Sequence, residues 1–154
     1  MSVRRVQAVV LVAALVSGCV RYYKTEDIRS RMAKGLRQFD EAMAKALKDF
    51  GEKQALCRQH GVTSPEARAL ILRMEQQLGQ LRAHRVELVK VQRDFEVLAR
   101  GKRRIRSDSP DWEPLQALKA RVDGLDERVQ DDANAYRDAT NALGQLIRRG
   151  GGAR

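Results

Sequence analysis

Side chains able to do chemistry are scarce in this 154-residue sequence, and their spacing limits what they can do. Its thiols are Cys19 and Cys57, and its imidazoles are His60 and His84. A zinc site takes three or four such ligands, usually in closely spaced pairs. Here Cys57 and His60 are three apart but Cys19 and His84 stand alone, so no second pair completes such a site. No H-E-x-x-H, no G-x-S-x-G and no phosphate-cradling glycine loop occurs. Asp123, Asp126 and Glu127 sit at helical spacing and read as a solvated face. No catalytic residue, no metal and no dissociable cofactor is expected, and the chain reads as a non-enzyme.

One thiol has an informative neighbourhood. Arg4 and Arg5 precede an uncharged, mostly apolar run over residues 6–16, and Val16, Ser17 and Gly18 lead directly into Cys19. Basic start, apolar run and small residues before a cleavage point are the parts of an export signal. The run is about half the ~20 residues needed to cross a bilayer, so it is a poor transmembrane helix. A cysteine in this place resembles the bacterial lipoprotein signal, the lipobox. The resemblance covers residues 1–19. It implies a diacylglyceryl group on the Cys19 sulfur, removal of residues 1–18, and acylation of the new amino terminus. The covalent lipid is then the one attached group, and the protein belongs to the cell envelope. Sorting by the residue after the cysteine, as in enteric bacteria, makes Val20 point to the outer membrane, facing the periplasm.

The whole chain carries 30 basic and 20 acidic side chains; without residues 1–18 it keeps 136 residues and a net charge of +8. That length suits one domain. Few aromatics and only three prolines, among many Ala, Leu, Arg, Glu and Gln, are the composition of long helices. With Cys19 acylated, Cys57 has no partner for a disulfide within the chain. It becomes a small buried apolar residue or, less favoured here, a bridge between two chains. Nucleic acid is not an expected partner, because the cations are not interleaved with stacking aromatics and export removes the cytoplasmic pool.

Three segments repeat apolar residues at three-and-four spacing. The first begins near Thr25, a candidate N-cap followed by Glu26 and Asp27, and carries Ile28, Met32, Leu36, Phe39, Met43, Leu47, Phe50 and Cys57. It stops around His60 and Gly61, and Ser64 and Pro65 restart a helix. The second is the most regular: Ala67, Met74, Leu81, Leu88 and Phe95 fall seven apart, interleaved with Leu70, Gln77, His84, Val91 and Leu98. A loop over residues 101–109 follows. The third segment runs from Leu115 to Leu146, with Ser109 and Pro110 as a start signal and Pro114 expected to delay regular helix by a turn. Glycines 150–152 open a flexible tail, residues 150–154. No strand-like alternation of useful length is visible. The fold expected is all-α: helices over about 25–60, 65–100 and 110–148 in an antiparallel, coiled-coil-like three-helix bundle. An extended helical hairpin with a separate third helix is the alternative.

Residues 19–24 form the expected lipidated tether, so the first helix must start near the bilayer. Arg21, Tyr22, Tyr23 and Lys24 suit headgroup depth, and an antiparallel bundle returns Lys102, Arg103, Arg104 and Arg106 to the same end. This second group is read as an electrostatic foothold on anionic lipid. Arg148, Arg149 and Arg154 mark the far end. Trp112 is either a staple over the bundle end or an interfacial anchor.

Gln77, His84 and Asp132 interrupt the apolar seams, and antiparallel register levels His84 with Asp132. They form either a buried polar layer or, the arrangement favoured here, an outward Asp132 with Ala133 in the core and His84 on the rim. The function expected is a lipid-anchored scaffold, adaptor or structural spacer that binds a partner protein or anionic wall polymer. A periplasmic holdase is the alternative. The oligomeric state is not readable from the chain.

Overall fold

A computed structural model describes residues 22–151. The signal motif Val16, Ser17, Gly18 and Cys19, the tether residue Arg21 and the terminal Arg154 lie outside the described residues. The described elements are strand β1 (Tyr22–Lys24), helix α1 (Thr25–Gln59), helix α2 (Pro65–Leu98), strand β2 (Arg104–Arg106) and helix α3 (Trp112–Gly151). The protein is an all-α three-helix bundle. No helix among the described residues is long and apolar enough to cross a membrane.

Cross-helix ion pairs give the register. Arg29 meets Glu96 at 3.0 Å and Arg85 reaches Asp40 at 2.9 Å, so α1 and α2 run antiparallel. Arg121 meets Asp94 at 2.7 Å and His84 meets Asp132 at 2.7 Å, which makes α2 and α3 antiparallel as well. Helix α2 is the spine: Ala67, Met74, Leu81, Leu88 and Phe95 are all buried, together with Leu78 and Val91. Helix α1 buries only Thr25, Gly35, Phe39 and Cys57. Of its expected stripe Leu47 is exposed, while Ala46 packs inward against the distal core.

Helix starts follow local chemistry where it is decisive. Ser64 Oγ accepts from the Ala67 amide at 3.2 Å, with proline at the first position of α2. Gly61 (φ 64°) and Gly101 (φ 70°) take the left-handed backbone that closes α1 and follows α2.

Four expectations need correction. Thr25 is not the N-cap of α1. It is the first helical residue, it is buried, and its Oγ1 donates to the Lys102 carbonyl at 2.7 Å. Pro114 does not delay α3, which begins at Trp112, because the first turn has no intrahelical donor to lose. Gly150 and Gly151, expected to open the tail, belong to α3, while residues 152–154 lie outside the described residues; the end of α3 lies against the α1–α2 turn, where a Cβ on Gly150 would stand 3.1 Å from Val62. Last, strands do occur where the sequence shows no alternation: β1 at the end of the tether pairs antiparallel with β2 in the 101–109 loop.

Thr25→Val keeps shape but leaves the Lys102 carbonyl without its donor, a loss of about 1–2 kcal/mol. Thermal melts should show Thr25→Val several degrees below the parent and Thr25→Ser close to it. Equal melting of all three would show that the bond holds nothing.

Candidate membrane-facing site

Two three-residue strands build the site. Tyr22 stands opposite Arg106, Tyr23 opposite Ile105, and Lys24 opposite Arg104. Side chains alternate across a strand, so the middle pair points one way and the outer pairs the other. Ile105 is buried with Phe95, Ala99 and Leu115, and Tyr23 stacks on Trp112 with ring centroids 5.2 Å apart and planes 13° from parallel. Trp112 is thus a staple over this end of the core. Tyr22, Lys24, Arg104 and Arg106 are exposed on the opposite side. The Arg104 guanidinium lies 4.7 Å from the Tyr22 ring centroid, a cation–π contact on the diagonal of the sheet.

The expected foothold is therefore brought together and also sorted. Tyr22, Lys24, Arg103, Arg104 and Arg106 are exposed; Arg106 also holds Asp108 at 3.1 Å. Lys102 is spent inside the fold: its Nζ donates to the Leu98 carbonyl at 2.9 Å and meets Asp111 at 2.8 Å, closing the C-terminal end of α2. Tyr23 faces the core. The sequence placed both groups at one end by topology, but it carried no signal for the strand pairing that sets them side by side.

The polar seam residues separate into a pair and a single. His84 Nε2 donates to Asp132 Oδ2 at 2.7 Å, with side chains 15% and 19% exposed. Asp132 does not rotate outward in favour of Ala133; both are half-buried. Gln77 does not join them, and its buried Oε1 has no partner among the described residues. Tyr136, buried on the apolar face of α3, donates its hydroxyl to the Ala46 carbonyl at 2.8 Å and ties α3 to α1. Burial beside Asp49 pushes its phenol well above the usual range. Cys57 is buried in the distal core, and desolvation raises its thiol despite Lys53, so it is a packing residue rather than a reactive thiolate.

Among the described residues no three His, Cys, Asp or Glu side chains gather as a metal site. In the acidic run of α3, Asp123 pairs with Lys119 at 3.0 Å, whereas Asp126 is half-buried. Desolvation, then the charges of Asp123 and Glu127, raise the Asp126 carboxyl. Comparison with protein-family models, curated proteins and solved structures finds no match to this chain.

Two outcomes follow. Removing one member of the seam pair strands the other, so His84→Leu should cost about 1–2 kcal/mol in denaturant unfolding. The double change His84→Leu with Asp132→Leu should recover most of that loss; a neutral single variant would show that the pair contributes nothing. For Asp126 the folded state resists ionisation, so its charge destabilises the fold above its folded pKa. Asp126→Asn should raise the melting temperature at pH 7, with the gain fading as pH falls and the parent carboxyl takes up its proton. A gain that persists in acid would point to another cause.

Proposed function

We propose that the protein is a lipid-anchored helical bundle of a bacterial cell envelope, held by acyl chains on Cys19. The basic strand pair rests against an anionic bilayer face, and the bundle acts as a non-enzymatic scaffold, adaptor or spacer. One observation carries this reading: β1, which starts three residues after Cys19, pairs with β2 so that Lys24 and Arg104 face each other. Like charges opposed across a sheet cost stability. Their retention on a surface flanked by Arg103 and Arg106 has a use if the facing surface is anionic.

Each cation near such a bilayer contributes about 1 kcal/mol, reduced by salt. The acyl chains on Cys19 already suffice for stable anchoring, so the cations serve to orient the bundle by holding its strand pair against the headgroups. Val20 favours the outer membrane, with the bundle in the periplasm. From this base the 35 residues of α1 reach about 50 Å outward. Exposed Arg148 and Arg149 at that far end suit anionic wall polymer. A protein partner would meet single apolar side chains on one side of α2, where Leu72, Val86 and Val97 are exposed about 21 and 17 Å apart along the axis. Those side chains are also what a holdase would use, and suppression of aggregation across unrelated unfolded proteins would favour the holdase.

The basic surface is tested by Lys24→Ser, Arg103→Ser and Arg104→Ser combined, which leaves Lys102 in its structural role. In a Cys19→Ser background, which removes the acyl chains, sedimentation with anionic liposomes at low salt should weaken at least tenfold, and neutral liposomes should show no difference. Unchanged binding to anionic liposomes would remove the electrostatic half of the proposal. Failure to incorporate radiolabelled palmitate would remove the lipid half.

A further inference from the structure

We infer that a crevice between the first turns of α1 and α3 and the last turns of α2 seats one of the acyl chains carried by Cys19. The inference rests on the lipoprotein reading above. The crevice has a volume of about 80 Å³, is open along one side, and is almost wholly apolar. Tyr23 stands at its strand end; Ile28 and Met32 of α1, Phe95 of α2, and Leu118 and Val122 of α3 line it. All three helices contribute, at the end where the chain emerges from residue 21.

Protein interiors pack close to crystal density, so an unfilled apolar gap forfeits contacts on every wall. Water fills such a gap poorly, because it needs two to four polar partners and the wall surface is almost wholly apolar, even with Arg31, Gln116 and Lys119 in the lining. Hydrocarbon fills it well. The enclosed volume is too small for a whole fatty chain, but it holds a stretch of methylenes while the remainder lies along the open side. From Leu115 to Val122 the lining extends about 10 Å along the axis.

Reach selects the occupant. Cys19 precedes Tyr22 by three residues, a span of at most ~11 Å even when fully extended. Tyr23, one residue further, is itself a wall of the crevice. A chain tethered so close is present at an effective concentration that free lipids do not match. Seating it would add apolar contact to α1, which buries few residues of its own. The seated chain supplies apolar contact that the short strand pair does not.

Trp112 is the sole tryptophan and stacks on Tyr23, so it reports on the crevice. The probe is stearic acid brominated at mid-chain, which quenches tryptophan on contact. Acylated protein and the Cys19→Ser variant are compared in the same non-ionic detergent. In the Cys19→Ser protein the vacant crevice should take one equivalent of probe and lose at least half of the Trp112 emission. The acylated protein, with its crevice filled, should need at least tenfold more probe. Adding Val122→Phe to Cys19→Ser fills the gap with a ring and should abolish the quenching; if that variant does not fold, Leu118→Phe serves. Equal quenching of acylated and Cys19→Ser proteins, or none in either, overturns the inference. The mass of the N-terminal peptide separates the two failures. An unmodified Cys19 overturns the lipoprotein reading and this inference with it, whereas an acylated Cys19 with equal quenching overturns this inference alone.

Discussion

The pairing of β1 with β2, locked by the buried Thr25 hydroxyl on the Lys102 carbonyl, is the constraint on which the rest of the molecule depends. Helices α2 and α3 bury a continuous seam against each other. Helix α1 has a thinner apolar face, and much of what aligns it is polar: Arg29 with Glu96, Asp40 with Arg85, and the Tyr136 hydroxyl on the Ala46 carbonyl. The Arg85 hydrogen bond lowers the Asp40 carboxyl, but the pair is exposed and screened, so its contribution to stability is small. Fastening the start of α1 to the α2–α3 connection at one end and burying Cys57 and Phe39 further along fixes α1 in register.

That fastening also decides which side chains are exposed. Alternation along two three-residue strands sends Tyr23 and Ile105 into the core and leaves Tyr22, Lys24, Arg104 and Arg106 outside. The same six residues therefore close the bundle and make a cationic, aromatic surface. In the proposed arrangement the surface meets lipid headgroups, the crevice behind it takes hydrocarbon, and the two are joined through Tyr23 and Trp112. Attachment and folding then share residues, so a change at this end disturbs both.

The helices were legible in the sequence because period and punctuation agreed. The seven-residue series from Ala67 to Phe95 is buried throughout, and Ser64 with Pro65 marks the start of α2. The level of His84 with Asp132 followed from antiparallel register. Their contact did not follow, since a rotation of a fraction of a turn moves Asp132 between core and rim and no period encodes it. The strands were illegible for a different reason. Three residues are too few to show alternation, and the pairing joins positions about eighty residues apart, so neither segment signals it alone. Gly150 read as a helix breaker on propensity, yet close approach to Val62 makes the missing Cβ an advantage there.

Orientation on the bilayer tests the account most directly. Acylated protein would be labelled with a fluorophore on Arg104→Cys in the strand pair, or on Thr63→Cys in the α1–α2 turn, Cys57 being buried. Anionic vesicles carrying nitroxide-labelled lipids then serve as the quencher. The account predicts strong quenching at position 104 and little at position 63, which lies about 50 Å away. Equal quenching at both positions, or stronger quenching at position 63, would contradict it.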